Sequence, residues 1–272
     1  MKLSRLFGAA ILSAAMTAPC AAADNSGYPA DYAKAPRFKA LIYYSDTAEP
    51  AHVEFANQAI DYFTRLSWGE GYILHTATSL AGFTPDSLAT YSVILDINIL
   101  PQTPGERELL RGYMENGGGW VGFHGTGYNN ETTGWPWFNE FLGAGQFLCN
   151  TWPPQPAQLE AATTTHPVTR NLPASFVAPE CEWYQWAPSA ADNPDVDVLY
   201  SLSQANYPIG IKDVVNFGKF PVVWTNRRYR MIYLNFGHGD REFTDATQNL
   251  LIINAFRWIV SRDPHGNPFL SQ

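Results

Sequence analysis

The chain has 272 residues, 46% of them hydrophobic and 15% charged, a globular composition long enough for one large core. Its 25 acidic and 17 basic residues give a formal charge of −8. That balance argues against nucleic acid as a partner, because phosphate binding needs clustered Lys and Arg.

The first 23 residues stand apart. Lys2 and Arg5 make a basic start, residues 6–16 an apolar stretch, and Ala21 and Ala23 lie at the spacing a signal peptidase prefers. The expectation is a secretory signal peptide over 1–23, cleaved after Ala23 and too short for a membrane anchor. Cys20 raises lipid attachment, and Pro19 directly before it argues against that. Without Lys2 and Arg5 the basic count falls from 17 to 15 and the charge moves from −8 to −10. The mature chain is then expected to be periplasmic or secreted. Residues 24–37, small and Pro-punctuated, read as a surface leader, 38–262 as one α/β domain and 263–272 as a tail.

KALIYYS (39–45) is a continuous apolar strand. Glu49 and Pro50 open a helix on which Val53, Ala56, Ile60 and Phe63 recur at helical spacing. YILHTA (72–77) and YSVILDI (91–97) are further strands, the second almost wholly apolar, as a strand covered on both faces must be. Thr103-Pro104-Gly105-Glu106 reads as a capping box with proline at the first helical position, and Asn116-Gly117 ends that helix. GWVGF (119–123) is the fourth strand. This alternation predicts a mostly parallel sheet with helices on both faces, a fold that binds ligands beyond the carboxyl ends of its strands.

The second half is less regular. Residues 128–156 read as a long loop with one short helix at 135–142. AQLEAAT (157–163), VDVLYSL (196–202), FPVVWT (220–225) and RMIYLNF (230–236) read as strands, the last two as a hairpin turning at Asn226–Arg230. A helix over about 244–260 closes the domain, with Leu250, Leu251, Asn254, Phe256 and Ile259 on its apolar face.

The stretch GGGWVGFHGTG (117–127) carries the sharpest chemical signal. Its glycines precede a strand, whereas a phosphate loop follows one and opens a helix, so a nucleotide cradle is excluded. Gly122-Phe123-His124-Gly125-Thr126 has the outline of a nucleophile elbow with His124 in the nucleophile's place. A histidine displayed there is a general acid or base, since its ordinary pKa lies near neutrality. The plainer reading is a histidine that ends a strand and bonds to backbone. NFGHGDREF (235–243) repeats the layout, with His238 between glycines after a strand and Asp240 beside it. His52, at the start of the first helix, can face the same rim, as can Asn98 at the end of the third strand and Thr126 beyond His124. His166 precedes a proline and reads equally as a loop cap. His75 and His265 are assigned to structure.

Glu182 lies among aromatics in APECEWYQW (178–186), a setting that raises a carboxyl pKa and suits it to proton transfer. The plainer alternative is a partner for an arginine. Tyr184 and Trp186, with Trp135, Trp137 and Trp152, are candidate sugar-stacking rings, or else packing for a loop-rich half. Metal binding is the competing use of these groups. No HExxH or CxxC spacing is present, so a zinc ion held by His52, His124, His238 and Glu182 needs the fold to gather them. Cys149 and Cys181 are either one disulfide, worth roughly 2–4 kcal/mol, or two free thiols.

These segments together resemble the ThuA-like (trehalose utilisation) family. The resemblance rests on YSVILDINILPQTPGERELLRGYMENGGGWVGFHGTG, WPWFNEFLGAGQF, THPVTRNLPASF, ECEWY in the family's D-E-x-Y place, and MIYLNFGHGD…LLIINAFRWIV, in family order over about 38–260. It implies a flavodoxin-like sheet similar to class I glutamine amidotransferases. His124 stands where the amidotransferase cysteine would, so glutamine hydrolysis is not implied. It also implies sugar metabolism, with 3-keto-glycosides as suggested substrates and His52, His124, Glu182 and His238 at the polar rim. The chain departs at Leu148-Cys149-Asn150, where many members carry a histidine after the Gly145-Gln146-Phe147 segment.

The resulting expectation is an exported enzyme that hydrolyses, eliminates from or isomerises a sugar. His124, His238 and Glu182 would move protons, and His52, Asn98, Thr126, Tyr184, Trp186 and Asp240 would contact substrate. A non-catalytic carbohydrate-binding protein and a zinc-dependent hydrolase are the alternatives. A homo-oligomer stays open.

Overall fold

The computed structural model describes residues 36–210 and 220–263. The expected signal peptide, most of the leader, His265 and nearly all of the expected tail lie outside the described residues. No described helix is long and apolar enough to cross a membrane.

In chain order the elements are β1 (Lys39–Tyr44), α1 (Pro50–Glu70), β2 (Ile73–Ala77), α2 (Pro85–Leu88), β3 (Val93–Ile97), α3 (Pro104–Glu115), β4 (Trp120–Phe123) and α4 (Pro136–Leu142). There follow β5 (Gln146–Asn150), β6 (Gln155–Ala161), β7 (Ser175–Cys181), β8 (Tyr184–Ala187), β9 (Val196–Leu202), β10 (Pro221–Asn226), β11 (Met231–Leu234) and α5 (Ala246–Ser261). Among the described residues nine strands make one sheet in the order β2-β1-β3-β4-β11-β10-β9-β6-β7, and β5 pairs with β8 in a separate ribbon. The pairs from β2 through β11 are parallel. Those from β11 through β7 are antiparallel. The α/β class expected from the sequence is present, and the sheet is mixed.

Alternation along the strands divides two cores. Ala40 and Ile42 of β1, Val93, Leu95 and Ile97 of β3, Val121 and Phe123 of β4, and Ile232 and Leu234 of β11 face Phe55 and Phe63 of α1 and Phe256 and Ile259 of α5. Leu41, Ile94, Trp120, Met231 and Tyr233 face Leu110 of α3 and Phe138 and Phe141 of α4. Each fully buried Val, Leu, Ile, Phe or Met among them contributes roughly 1.5–3 kcal/mol of transfer free energy. Gly122 is required on β4 because the Trp120 indole lies where its Cβ would stand, 1.8 Å away. Asp96 is the polar exception in β3. Its carboxylate accepts from Trp120 Nε1 at 3.1 Å, and burial pushes its pKa well above the usual range.

The capping box is formed. Thr103 Oγ1 accepts from Glu106 N at 3.2 Å, and Glu106 Oε2 accepts from Thr103 N at 3.1 Å. Glu106 Oε1 also accepts from Ser79 Oγ at 2.6 Å and Leu80 N at 2.9 Å, joining the β2–α2 connection to α3. Residues 128–156 are not simply loop and helix, since β5 and the start of β6 lie within them. Nor are β7 and β8 apparent from sequence pattern, because Pro179 and the 182–186 aromatics mask their period.

Cys149 and Cys181 are not joined in a disulfide. The strand register decides this. Cys149 lies opposite Gln185, with Sγ 3.2 Å from Oε1, while Cys181 is buried at the end of β7 with Sγ donating to Asn235 O at 3.4 Å.

Candidate functional site

Because β1, β3, β4 and β11 run parallel, their carboxyl ends share one rim. The first turn of α1, Asn98, His124 and the Asn235–Gly239 segment all leave from that rim. Three imidazoles meet there. The ring of His52 is 5.2 Å from that of His124 and 5.4 Å from that of His238, and His124 and His238 are 5.5 Å apart. The Nε2 atoms of all three are buried without a hydrogen-bond partner. Glu182 completes the group, with Oε2 3.8 Å from both His124 Nε2 and His238 Nε2.

Backbone geometry displays His124. Its φ is +42°, a left-handed conformation that bulky side chains rarely adopt and that recurs at functional turns. Its Nδ1 donates to the Asn235 carbonyl at 2.9 Å. A carbonyl only accepts, so Nδ1 carries the proton and Nε2 presents a lone pair to Glu182. Burial pushes the His124 pKa down to about 3, helped by His238 and opposed by the Asn235 bond. Burial likewise takes His52 down to about 4, with His124 and His238 adding to the fall. Both rings are therefore neutral at neutral pH. The near-neutral titration expected of His124 is not met, because the residue is fully enclosed.

Asn235 holds the site together, and sequence reasoning missed it. Its Nδ2 donates to the Glu182 carbonyl at 2.6 Å, and its Oδ1 accepts from Tyr184 N at 2.9 Å. One residue after β11 thus fixes both His124 and the Glu182 segment. Glu242, also missed, accepts from the backbone N–H groups of Gly237 at 2.8 Å and His238 at 3.0 Å, and is itself held by Gln248. Gly237 has φ +147°, and a Cβ there would stand 2.7 Å from His124 Cβ. The only hints of either residue in the sequence were polar side chains bracketing a Gly-His-Gly turn.

The remaining sequence candidates divide. Asn98 reaches the rim with φ +57°, but its amide is spent on structure, accepting from Gly125 N at 2.7 Å and donating to Gly237 O at 2.8 Å. Tyr184 belongs to the site, its ring 4.2 Å from that of His124. Trp186 does not open onto it, being buried against Trp224 and Tyr233 with Nε1 donating to Gly127 O at 2.9 Å. Thr126 is wholly buried, and Asp240 is exposed with its carbonyl accepting from Gln58. Trp135 and Trp137 pack on Phe138 and Phe141. His166 is a cap, its Nδ1 accepting from Val168 N at 3.2 Å, and His75 pairs with the Tyr91 hydroxyl.

A cleft of about 560 Å³ opens over the group, lined by Glu49, His52, Asn98, Gly125, Tyr128, Asn150, Trp152, Glu182 and Tyr184. That size suits a small ligand. A neighbouring hollow of about 660 Å³ shares Asn98, Gly125 and Tyr128 with it. Tyr128 and Trp152 keep 47% and 44% of their surface exposed, enough to meet a ligand's flat face. At the place of the Leu148-Cys149-Asn150 departure, β5 turns Asn150 into the cleft wall. Glu49, read in the sequence only as the start of α1, makes no side-chain cap and instead brings Oε1 to 3.6 Å from His238 Nε2.

Comparison with known proteins places this architecture. A crystal structure of a ThuA-like protein from Bacteroides uniformis is 61% identical, with a TM-score of 0.85 over 90% of this chain and 100% of that one. A ThuA-like protein from Parabacteroides merdae, 17% identical, shares the fold with a TM-score of 0.56 over 86% and 93% of the two chains. A β-galactosidase from Rahnella sp. R3, 15% identical, shares it with a TM-score of 0.51 over 82% of this chain and 31% of that one. A comparison with curated proteins finds none that matches. The family model described as trehalose utilisation, ThuA, matches residues 39–259, and the chain belongs to that family.

Proposed function

We propose that the protein acts on a sugar or 3-keto-glycoside, transferring a proton through Glu182 on the cleft wall and the buried His124 behind it. The observation that carries this reading is the Glu182 carboxylate, 3.8 Å from two imidazole Nε2 atoms and on the cleft wall. A carbon beside a ketone is acidic, so a carboxylate can take its proton without a strong nucleophile. The carboxyl group that results becomes an O–H donor. The neutral Nε2 of His124, its tautomer set by Asn235, is an acceptor beside it. Loss of that proton begins elimination and isomerisation alike, and its return to the leaving oxygen completes cleavage. The half-exposed rings of Tyr128 and Trp152 and the amide of Asn150 suit a sugar's C–H face and hydroxyls. The reading takes the mature chain as an exported protein beginning at Asp24, which N-terminal sequencing from its own cells checks.

The test is a product screen by NMR against trehalose, other glucosides and their 3-keto forms. Turnover is expected for at least one keto-sugar, with a loss of 100-fold or more in Glu182→Gln, on the order expected for a positioned acid or base. Sugar binding by calorimetry with no product from any of them would replace the reading by a carbohydrate-binding protein. Unchanged turnover in Glu182→Gln would remove the proposed role of the pair.

A further inference from the structure

Glu49, His52 and His238 form a second grouping within the rim. Their ligand-competent atoms, one from each residue, all lie within 4.8 Å of one another. Two histidines and a carboxylate gathered this closely are a donor set for a first-row divalent ion. We propose that these three residues hold such an ion, with its open coordination positions turned toward the cleft. The inference deepens the reading above by adding an ion beside the Glu182 carboxylate, and it rests on that reading only for the identity of the ligand.

Three observations converge. First, the Nε2 atoms of His52 and His238 are buried and have no hydrogen-bond partner. His238 is 8% exposed, so water does not readily serve it. Buried polar atoms are nearly always satisfied, and two imidazole nitrogens left over at one place ask for a shared partner. Second, the geometry is close to a bound one. Ligands about 2.0–2.2 Å from an ion stand about 3–3.5 Å apart, and Glu49 Oε1 is 3.6 Å from His238 Nε2. The Glu49 side chain is 54% exposed and free to close the remaining distance. Third, the backbone that carries two of the ligands is held in place by further hydrogen bonds. Gly239 N donates to Ala51 O at 3.1 Å, tying the His238 turn to the turn of α1 that bears His52. Glu242 grips the same turn through the N–H groups of Gly237 and His238.

Glu182 Oε2, 3.8 Å from His238 Nε2, stands next to this set on the side of His124. The arrangement separates two tasks. Glu49, His52 and His238 fix the ion, while Glu182 and His124 stay available for proton transfer. An ion in that position would draw the carbonyl or hydroxyl oxygen of a sugar toward the pair, the Lewis-acid use of a metal.

The test uses the purified full chain, stripped with a chelator and dialysed against low-micromolar Zn²⁺ or Mn²⁺, with bound metal counted by mass spectrometry and affinity measured by calorimetry. One ion per chain is expected. Glu49→Gln, at an exposed side chain that cannot threaten the fold, and His238→Ala should each weaken binding by at least about 10-fold. His166→Ala, at the capping histidine, should leave it unchanged. Failure to retain either ion, or wild-type affinity in both ligand variants, would overturn the proposal. The two readings fail separately. A bound ion with no sugar transformed ends the reading of function alone, and a sugar transformed by a chain that binds no ion ends this one alone.

Discussion

Replacing Asn235 by Ala should unlatch the site from the sheet. The wild-type amide makes two bonds in buried surroundings, to the Glu182 carbonyl at 2.6 Å and from Tyr184 N at 2.9 Å. Alanine removes both of these bonds to buried backbone groups. A buried orphan costs about 1–3 kcal/mol, so the two together should cost roughly 2–6 kcal/mol. That is a large share of the 5–15 kcal/mol or so by which domains are stable. Urea unfolding followed by tryptophan fluorescence measures it as a lower midpoint at unchanged slope. Asn235→Asp sharpens the reasoning. It keeps an acceptor for Tyr184 but sets an oxygen against the Glu182 carbonyl oxygen, so its loss should be at least as large. A loss below about 1 kcal/mol in Asn235→Ala would refute the assignment of Asn235 as the latch.

Two further predictions concern the frame. Burial alone would raise the Glu106 carboxyl, but bonds from Ser79, Thr103 and the backbone N–H groups of Thr103 and Leu80 outweigh it and hold the pKa at about 2, against an ordinary 4.5. A depressed folded-state pKa contributes stability in full above about 4.5 that is lost as pH falls toward about 2, so Glu106→Gln should be less stable than wild type at pH 7 and the gap should close through that window. A gap that stays constant down to pH 2.5 would show the carboxylate is not the stabilising form. Cys149 and Cys181 give the second prediction. Unreduced mature chain in denaturant should titrate as two thiols, and the native chain should label at Cys149 while Cys181, fully buried, stays protected. A single disulfide-linked species by mass would contradict the strand register.

Much of the scaffold was legible because local rules decide it. Pro50, the Thr103–Glu106 box and Asn116-Gly117 set helix ends over a few residues, and continuous apolar runs mark β1, β3 and β4 as strands covered on both faces. The strands β5, β7 and β8 were not legible, since Gln146–Asn150 and Tyr184–Ala187 pair only with each other and carry aromatics for the site as well as the core. Trp186 illustrates the ambiguity. Its type suited a sugar platform, and the bond to Gly127 O puts it in the core instead.

The sequence by itself determined that His124 and His238 end strands between glycines, because backbone turning is a property of adjacent residues. Only the tertiary structure decided what they face. Parallel pairing of β11 with β4 brings Asn235 to His124 across 111 positions, and the order of strands sets Glu49, His52 and Glu182 beside them. Side chains that far apart in the chain share no local signal. Their convergence follows from sheet order and register, and so does the enclosure that lowers the His124 pKa to about 3.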